Sequence, residues 1–256
     1  MNSTFPHRKR FAAAWSGAAI LAVGAGLSHA GPVNLDDVTR GSFGHPPFLE
    51  WGEATERIYE RENGHAAYPA EIHYDLGLYF YEMGEYELSL KHYRRAAEIA
   101  PGFSEAFFGM GLLFYSLGDD DNAIRCYQQS LERDPRDPDT RNNLGLIYYR
   151  RGELDLAREQ IEEAVRLQPQ FADAFYNLGL VYYQKSDLVA AVTSFQTALQ
   201  QDPAYHRARF NLGVVYFELG LLEQAAEQWS MISEAAPGSP LAVQALENLS
   251  ILRSDN

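Results

Sequence analysis

The chain has little of what reactive or charged-partner proteins use. One cysteine, Cys126, stands among 256 residues, so no disulfide can form within the chain. A fold without that staple must rest on its apolar core. Lysine occurs three times, at Lys9, Lys91 and Lys185, and 21 Lys+Arg face 35 Asp+Glu, a formal net charge of −14. That balance lacks the basic footprint of a nucleic-acid-binding protein, and an anionic membrane surface would repel it. No His-x-x-x-His or Cys-x-x-Cys spacing is present to hold a metal. There is no Gly-rich phosphate loop and no Gly-x-Ser-x-Gly elbow. Beyond residue 30, His45, His65, His73, His92 and His206 are scattered along the chain. Enzyme chemistry is therefore not expected, nor is a metal or other cofactor. Asp119-Asp120-Asp121 lacks the alternating spacing of a calcium loop and is expected to be an acidic helix start.

The first 30 residues stand apart. Arg8, Lys9 and Arg10 precede an apolar run, Phe11 to Leu27, and Ser28-His29-Ala30 then offers small residues around a cleavage point. This is the layout of a secretory signal peptide ending near Ala30, with an uncleaved membrane anchor as the alternative. The expected location is exported, periplasmic or secreted. Cleavage would leave 18 Lys+Arg against 35 Asp+Glu, a net charge of −17, with no membrane-inserted segment. Residues 31–69 read as a Gly- and Pro-rich linker followed by a capping helix over Leu49–Glu62.

From residue 70 the chain repeats itself every 34 residues. Glycine recurs at Gly77, Gly111, Gly145, Gly179 and Gly213, and proline at Pro101, Pro135, Pro169, Pro203 and Pro237. Such a period marks a repeat array. The units are 70–103, 104–137, 138–171, 172–205 and 206–239, each reading as a helix A, a turn and a helix B. In the fourth unit Phe175, Leu178 and Tyr182 lie at helical spacing with the small Gly179, and Ala191, Phe195 and Ala198 follow in helix B. The small residues let the two helices approach, and the large ones fill the space around them. Gly84, Gly118, Gly152 and Gly220 suit a left-handed turn at the end of helix A, where the fourth unit has Ser186. Residues 240–256 read as a C-terminal capping helix and tail, with Glu247 where the repeats carry glycine.

These residues resemble the tetratricopeptide repeat. The family pattern is an aromatic, Leu-Gly, Tyr, Ala, an aromatic, Ala and Pro. Phe175, Leu178-Gly179, Tyr182, Ala191, Phe195, Ala198 and Pro203 match it. The departures are His73, Arg141 and Arg209 at the first aromatic, Ile161 in helix B, Ser89 and Ser130 for Ala, and Ile232 in the last unit. The resemblance implies an all-α, right-handed solenoid of five helix–turn–helix units plus the capping helix. It also implies that helix A lines a concave groove where partner proteins bind.

Three columns would face that groove. Asn143, Asn177 and Asn211 precede the Leu-Gly pair, after Asp75 and Gly109, and resemble the asparagine ladder of O-linked N-acetylglucosamine transferases. A side-chain amide both donates and accepts, so it could hold the main chain of an extended peptide without reading its sequence. It could equally brace neighbouring helices. A second column is Tyr81, Tyr115, Tyr149, Tyr183 and Phe217, and a third is Tyr74, Phe108, Asn142, Tyr176 and Phe210. The adjacent Phe80, Phe114, Tyr148, Tyr182 and Tyr216 are expected to supply core. The expected function is a scaffold binding an extended or basic protein segment through Asn143, Asn177, Asn211, Tyr115, Tyr149, Tyr183, Phe217, Tyr176 and Phe210. Resemblance to exported members suggests assembly or maturation of an envelope complex. The alternative is a structural scaffold that forms homo-oligomers through repeat edges or its convex face.

Overall fold

A computed structural model describes residues 70–254 of the chain. The signal-peptide, linker and Leu49–Glu62 helix expectations lie outside those residues. Eleven helices and no strand occur among the described residues. They are α1 (Ala70–Glu82), α2 (Tyr86–Ile99), α3 (Ser104–Ser116), α4 (Asp120–Arg133), α5 (Pro138–Arg150), α6 (Leu154–Leu167), α7 (Ala172–Gln184), α8 (Leu188–Gln201), α9 (His206–Glu218), α10 (Leu222–Ala235) and α11 (Pro240–Ser254). Two compact units result, one ending at Ile99 and one beginning at Ala100. The first holds α1 and α2, the second α3 to α11.

The turn within each repeat is set by one residue. Gly84, Gly118, Gly152 and Gly220 adopt φ between +74° and +77°, and Ser186 is driven to φ +61° at the same position. Asp119 and Asp187 then cap the next helix, each side chain accepting from the backbone N–H three residues on, at Asn122 and Ala190. That bond satisfies a donor the helix cannot satisfy itself. The hydrogen bonds from Asn122 also hold the Asp119 carboxyl below its usual range.

The close approach of helices A and B occurs at the repeated glycine. A Cβ on Gly179 would lie 2.6 Å from the Phe195 ring, and one on Gly111 2.5 Å from the Tyr127 ring. Gly145 meets Ile161 in the third repeat and Gly213 meets Trp229 in the fifth, while Gly77 meets Tyr93 in the first unit. Where Ser replaces the expected Ala, its hydroxyl finds a carbonyl: Ser89 donates to Gly77 (2.8 Å) and Ser130 to Ser104 (3.0 Å).

The departures at the first aromatic are matched across each helix pair. His73 meets His92 (3.0 Å), Arg141 donates to Gln160 (3.2 Å) and Arg209 to Gln228 (3.3 Å), always 19 residues apart. In the second and fourth repeats the same two places hold Phe107 with Cys126 and Phe175 with Ser194, a large ring opposite a small residue. Cys126 is buried there. The two arginines also clamp the preceding loop, Arg141 on the Pro135 carbonyl (2.9 Å) and Arg209 on that of Pro203 (2.8 Å).

Repeats in the second unit join through shared core. Phe108, Ala123 and Tyr127 pack with Leu144 and Ile147 of the next repeat, and Ala157, Ile161 and Ala164 with Ala174, Leu178 and Val181. Trp229 and Ile232 pack with Ala242, Ala245, Leu249 and Leu252 of α11. The outer side of α11 carries exposed Glu247 as expected, but also Val243 and Leu246, about half exposed, so this end is more apolar than a fully polar cap. Ionic links tie successive turns: Arg151 to Asp121 (2.7 Å), Arg150 to Asp120, and Lys185 to Asp155 (2.5 Å). Solvent screening at these exposures leaves them a minor part of the stability.

Candidate functional site

Successive A helices of the second unit touch at α3–α5, α5–α7 and α9–α11, whereas B helices meet their successors less closely. The A helices therefore form a face over α3, α5 and α7 and again over α9 and α11, and the three columns fall on or just beneath it.

The tyrosine column stays at the surface. Tyr115, Tyr149 and Tyr183 are half-buried and Phe217 is 40% exposed. Tyr115 carries the Arg150 guanidinium on its ring, 4.4 Å from the centroid. The Tyr183 hydroxyl donates to the Glu218 carboxylate. Burial pushes the Tyr183 phenol up to about 12, helped by that carboxylate and by Tyr149 nearby. The corresponding Tyr81 of the first unit is buried instead. Of the neighbouring column expected as core, Phe80 is buried, while Phe114, Tyr148, Tyr182 and Tyr216 are only partly so and pack over the core from its edge.

In the second unit the third column sits deeper than a partner could reach. Tyr176 and Phe210, expected to meet a ligand, are both buried. The cause is a ring pair inside each repeat: Tyr176 lies 5.8 Å from Phe195, Phe210 6.4 Å from Trp229, and Phe108 5.9 Å from Tyr127. Burial raises the Tyr176 phenol to about 12. The third repeat replaces the pair by Asn142 and Ile161, both buried.

The asparagines divide in the same way. Asn143 and Asn211 are partly exposed, but Asn177 is 2% exposed. Its Nδ2 donates to Oδ1 of Asn142, also 2% exposed, across 2.9 Å from α7 to α5. Asn211 Nδ2 reaches the Tyr176 hydroxyl at 3.3 Å. Two of the three expected rungs therefore brace one repeat against the preceding one, and Asn177 Oδ1 remains buried without a partner. The sequence column did not show this, because the contacts run diagonally, 35 residues apart rather than 34. A further link escaped sequence reasoning: Tyr205 donates to Asp173 (2.7 Å), whose carboxyl burial pushes above its ordinary value despite that bond. The scattered histidines also include one real pair. His73 and His92 are buried and stacked, with centroids 5.3 Å apart, and His92 stacks on Phe80. Spacing of 19 residues, the same as Arg141 to Gln160, was the available signal.

No cluster of three His, Cys, Asp or Glu side chains that could hold a metal exists among the described residues. An open depression of about 460 Å³ is lined by Asp121, Ile124, Arg125, Tyr148, Arg151 and Glu153. Arg151 is already matched there by Asp121 and Glu153. No helix among the described residues is long and apolar enough to cross a membrane.

Tetratricopeptide-repeat family profiles match residues 70–103, 111–152, 142–206 and 176–240, more than half of the chain in all. This chain belongs to the tetratricopeptide-repeat family. The fold agrees with solved members. The structure of Pseudomonas aeruginosa PilF shares 20% identity with a TM-score of 0.63, covering 73% of this chain and 89% of that one. That of TTC0263, a thermophilic tetratricopeptide-repeat protein of Thermus thermophilus, shares 26% identity with a TM-score of 0.57, covering 70% and 98%. YrrB, described as a tetratricopeptide-repeat protein with an unusual peptide-binding site, shares 22% identity with a TM-score of 0.58, covering 75% and 97%. No curated protein matches the chain significantly. Tetratricopeptide repeats are generally non-enzymatic scaffolds, and the fold makes this chain a protein–protein interaction scaffold.

Proposed function

We infer that the A-helix face of the second unit binds an extended segment of another protein. The observation that carries this is the column Tyr115, Tyr149, Tyr183 and Phe217, which stays at the surface while Phe108, Asn142, Tyr176 and Phe210 lie buried beneath the same face. Tyrosine gives large contact area with a polar tip, at low conformational cost. Asn143 and Asn211 lie beside it and add amides suited to a peptide main chain. Asn177, Tyr176 and Phe210 support that face from beneath. The unusual peptide-binding site named for YrrB gives the same direction by analogy of fold.

The five repeats, 70–239, would act as the binding module, with 31–69 and 240–256 flanking it. Export through a signal peptide at 1–30 would place it in the envelope, in assembly or maturation of a complex. An exported form starting at Gly31, measured by intact mass, supports this, and a full-length product in the cytoplasm rejects it. Binding is tested by panning displayed random nonapeptides on the purified chain. Wild type should select peptides that a Tyr183→Ala/Phe217→Ala variant releases, while a Val189→Ala control retains them. No selection by wild type over a blank support would reject the binding face. Exposed Val243 and Leu246 favour self-association as the second reading. A molar mass that rises with concentration in light scattering, and falls for Leu246→Glu, would support it.

A further inference from the structure

The tyrosine column contains its own example of what it binds. Arg150, the last residue of α5, lays its guanidinium over Tyr115 of the preceding repeat, and Asp120 takes up its charge. One repeat further on, Tyr149 occupies the place of Tyr115, and Gln184 occupies the place of Arg150. The neutral amide supplies no cation for the Tyr149 ring. A carboxylate belongs to the next rung of the column. Tyr183 holds the Tyr149 place on α7, which packs against α5, and donates its hydroxyl to Glu218, the residue at the Arg150 place two repeats on. Glu218 is exposed and takes part in none of the ion pairs among the described residues. A half-buried aromatic face and an unneutralised carboxylate thus belong to successive rungs of one column, on an acidic chain of net charge −14.

Resting on the binding face inferred above, we propose that Tyr149, Tyr183 and Glu218 form a pocket for an arginine side chain of the bound segment. The guanidinium lies on the Tyr149 ring, as Arg150 lies on Tyr115, and its N–H groups donate to the Glu218 carboxylate. Arginine fits better than lysine, because a planar, weakly hydrated fork can stack and form paired hydrogen bonds together. Tyr183 is a positioning residue: its hydroxyl holds the carboxylate in place. The partner is accordingly a protein whose recognised segment is extended and carries an arginine.

The test reads the composition of the selected nonapeptides, not only their capture. Wild type should enrich arginine at one position. The best selected peptide should lose about tenfold in affinity when that arginine becomes citrulline, the order expected for one cation–π contact plus one ion pair. Glu218→Gln, at an exposed position, should abolish the arginine preference while still capturing peptides. Tyr149→Leu should weaken arginine peptides about tenfold and citrulline peptides little. Selected peptides without a basic preference, or arginine kept by Glu218→Gln, would overturn the pocket and leave the binding face standing. Failure of wild type to select any peptide would instead remove the binding face and this pocket with it.

Discussion

Gly179→Ala sets two opposing effects against each other at one position. Glycine inside a helix costs about 0.5–1 kcal/mol relative to alanine, so helix propensity alone says the variant is more stable. The contact geometry says otherwise. The new Cβ would stand 2.6 Å from two Phe195 ring atoms and 3.0 Å from a third. Carbon atoms rest near 3.5–4.0 Å, so the ring or helix must retreat by about 1 Å. The ring has little room: Phe195 is fully buried and lies against Tyr176, whose other side is Tyr205, 5.0 Å away. Overpacking of this kind costs about 1–3 kcal/mol. The net expectation is a loss of about 1 kcal/mol for alanine and at least about 3 kcal/mol for Gly179→Leu, which adds three further carbons. Urea unfolding followed by circular dichroism measures both. Pairing Gly179→Ala with Phe195→Leu gives the decisive cycle, since removing the ring should recover about 1 kcal/mol of the alanine cost. A Gly179→Ala protein stabilised by about 1 kcal/mol would refute the close approach, as would strict additivity in the cycle.

Three other outcomes follow from the same packing. Ser186 holds φ +61° where four repeats have glycine, so Ser186→Gly should raise stability by about 0.5–1 kcal/mol in urea unfolding, and an unchanged midpoint would count against strain there. Asn142→Ala should cost about 1–3 kcal/mol by stranding the buried Asn177 amide, whereas Asn142→Leu/Asn177→Leu, apolar and similar in shape, should be nearly neutral; equal losses would refute the brace. His73 and His92 are held below 6.5, His92 to about 4: burial comes first for both, followed by the positive charges of Arg95 and Lys91 at His73, and by His73 and Lys91 at His92. The unfolded chain therefore binds more protons, and stability should be complete above about pH 6.5 and fall as pH drops towards 4. His73→Phe/His92→Ser, the combination at positions 175 and 194, should flatten that fall in thermal melts between pH 7 and 4, and a parallel profile would remove the pair as its source.

Fold and site were legible to different depths. The 34-residue glycine and proline register located the helix pairs among the described residues, because the backbone needs met at Gly179 and Gly152 recur in each repeat. The tyrosine column was legible in part: Tyr115, Tyr149 and Tyr183 reach the surface as helix periodicity suggests, but Tyr81 at the same place is buried, and Tyr148 and Tyr182, expected as core, are also only partly buried. The depth of Tyr176 and Phe210 was not, because they are buried by a ring on the other helix whose tilt the sequence does not state. Nor was the fate of Asn177, which depends on Asn142 of the preceding repeat reaching it diagonally. Acidic residues misled in a milder way. Asp119 caps α4 as an acidic helix start should, but Asp120 and Asp121 are engaged by arginines 30 residues later. Such contacts follow from how one repeat is rotated on the last, and periodicity alone does not set that rotation.

The matched places 19 residues apart carry a consequence for how this chain can be recombined. Arg141 needs Gln160 and Arg209 needs Gln228, while Phe175 stands opposite the small Ser194. Grafting α5 onto α8 would leave an arginine facing a serine, and the reciprocal graft would press a phenylalanine on a glutamine. Whole 34-residue cassettes can be moved, duplicated or deleted with their internal pairing intact, but single helices cannot. The smallest inheritable part of this molecule is therefore the helix pair, and a consensus sequence averaged column by column would mix three incompatible pairings into one.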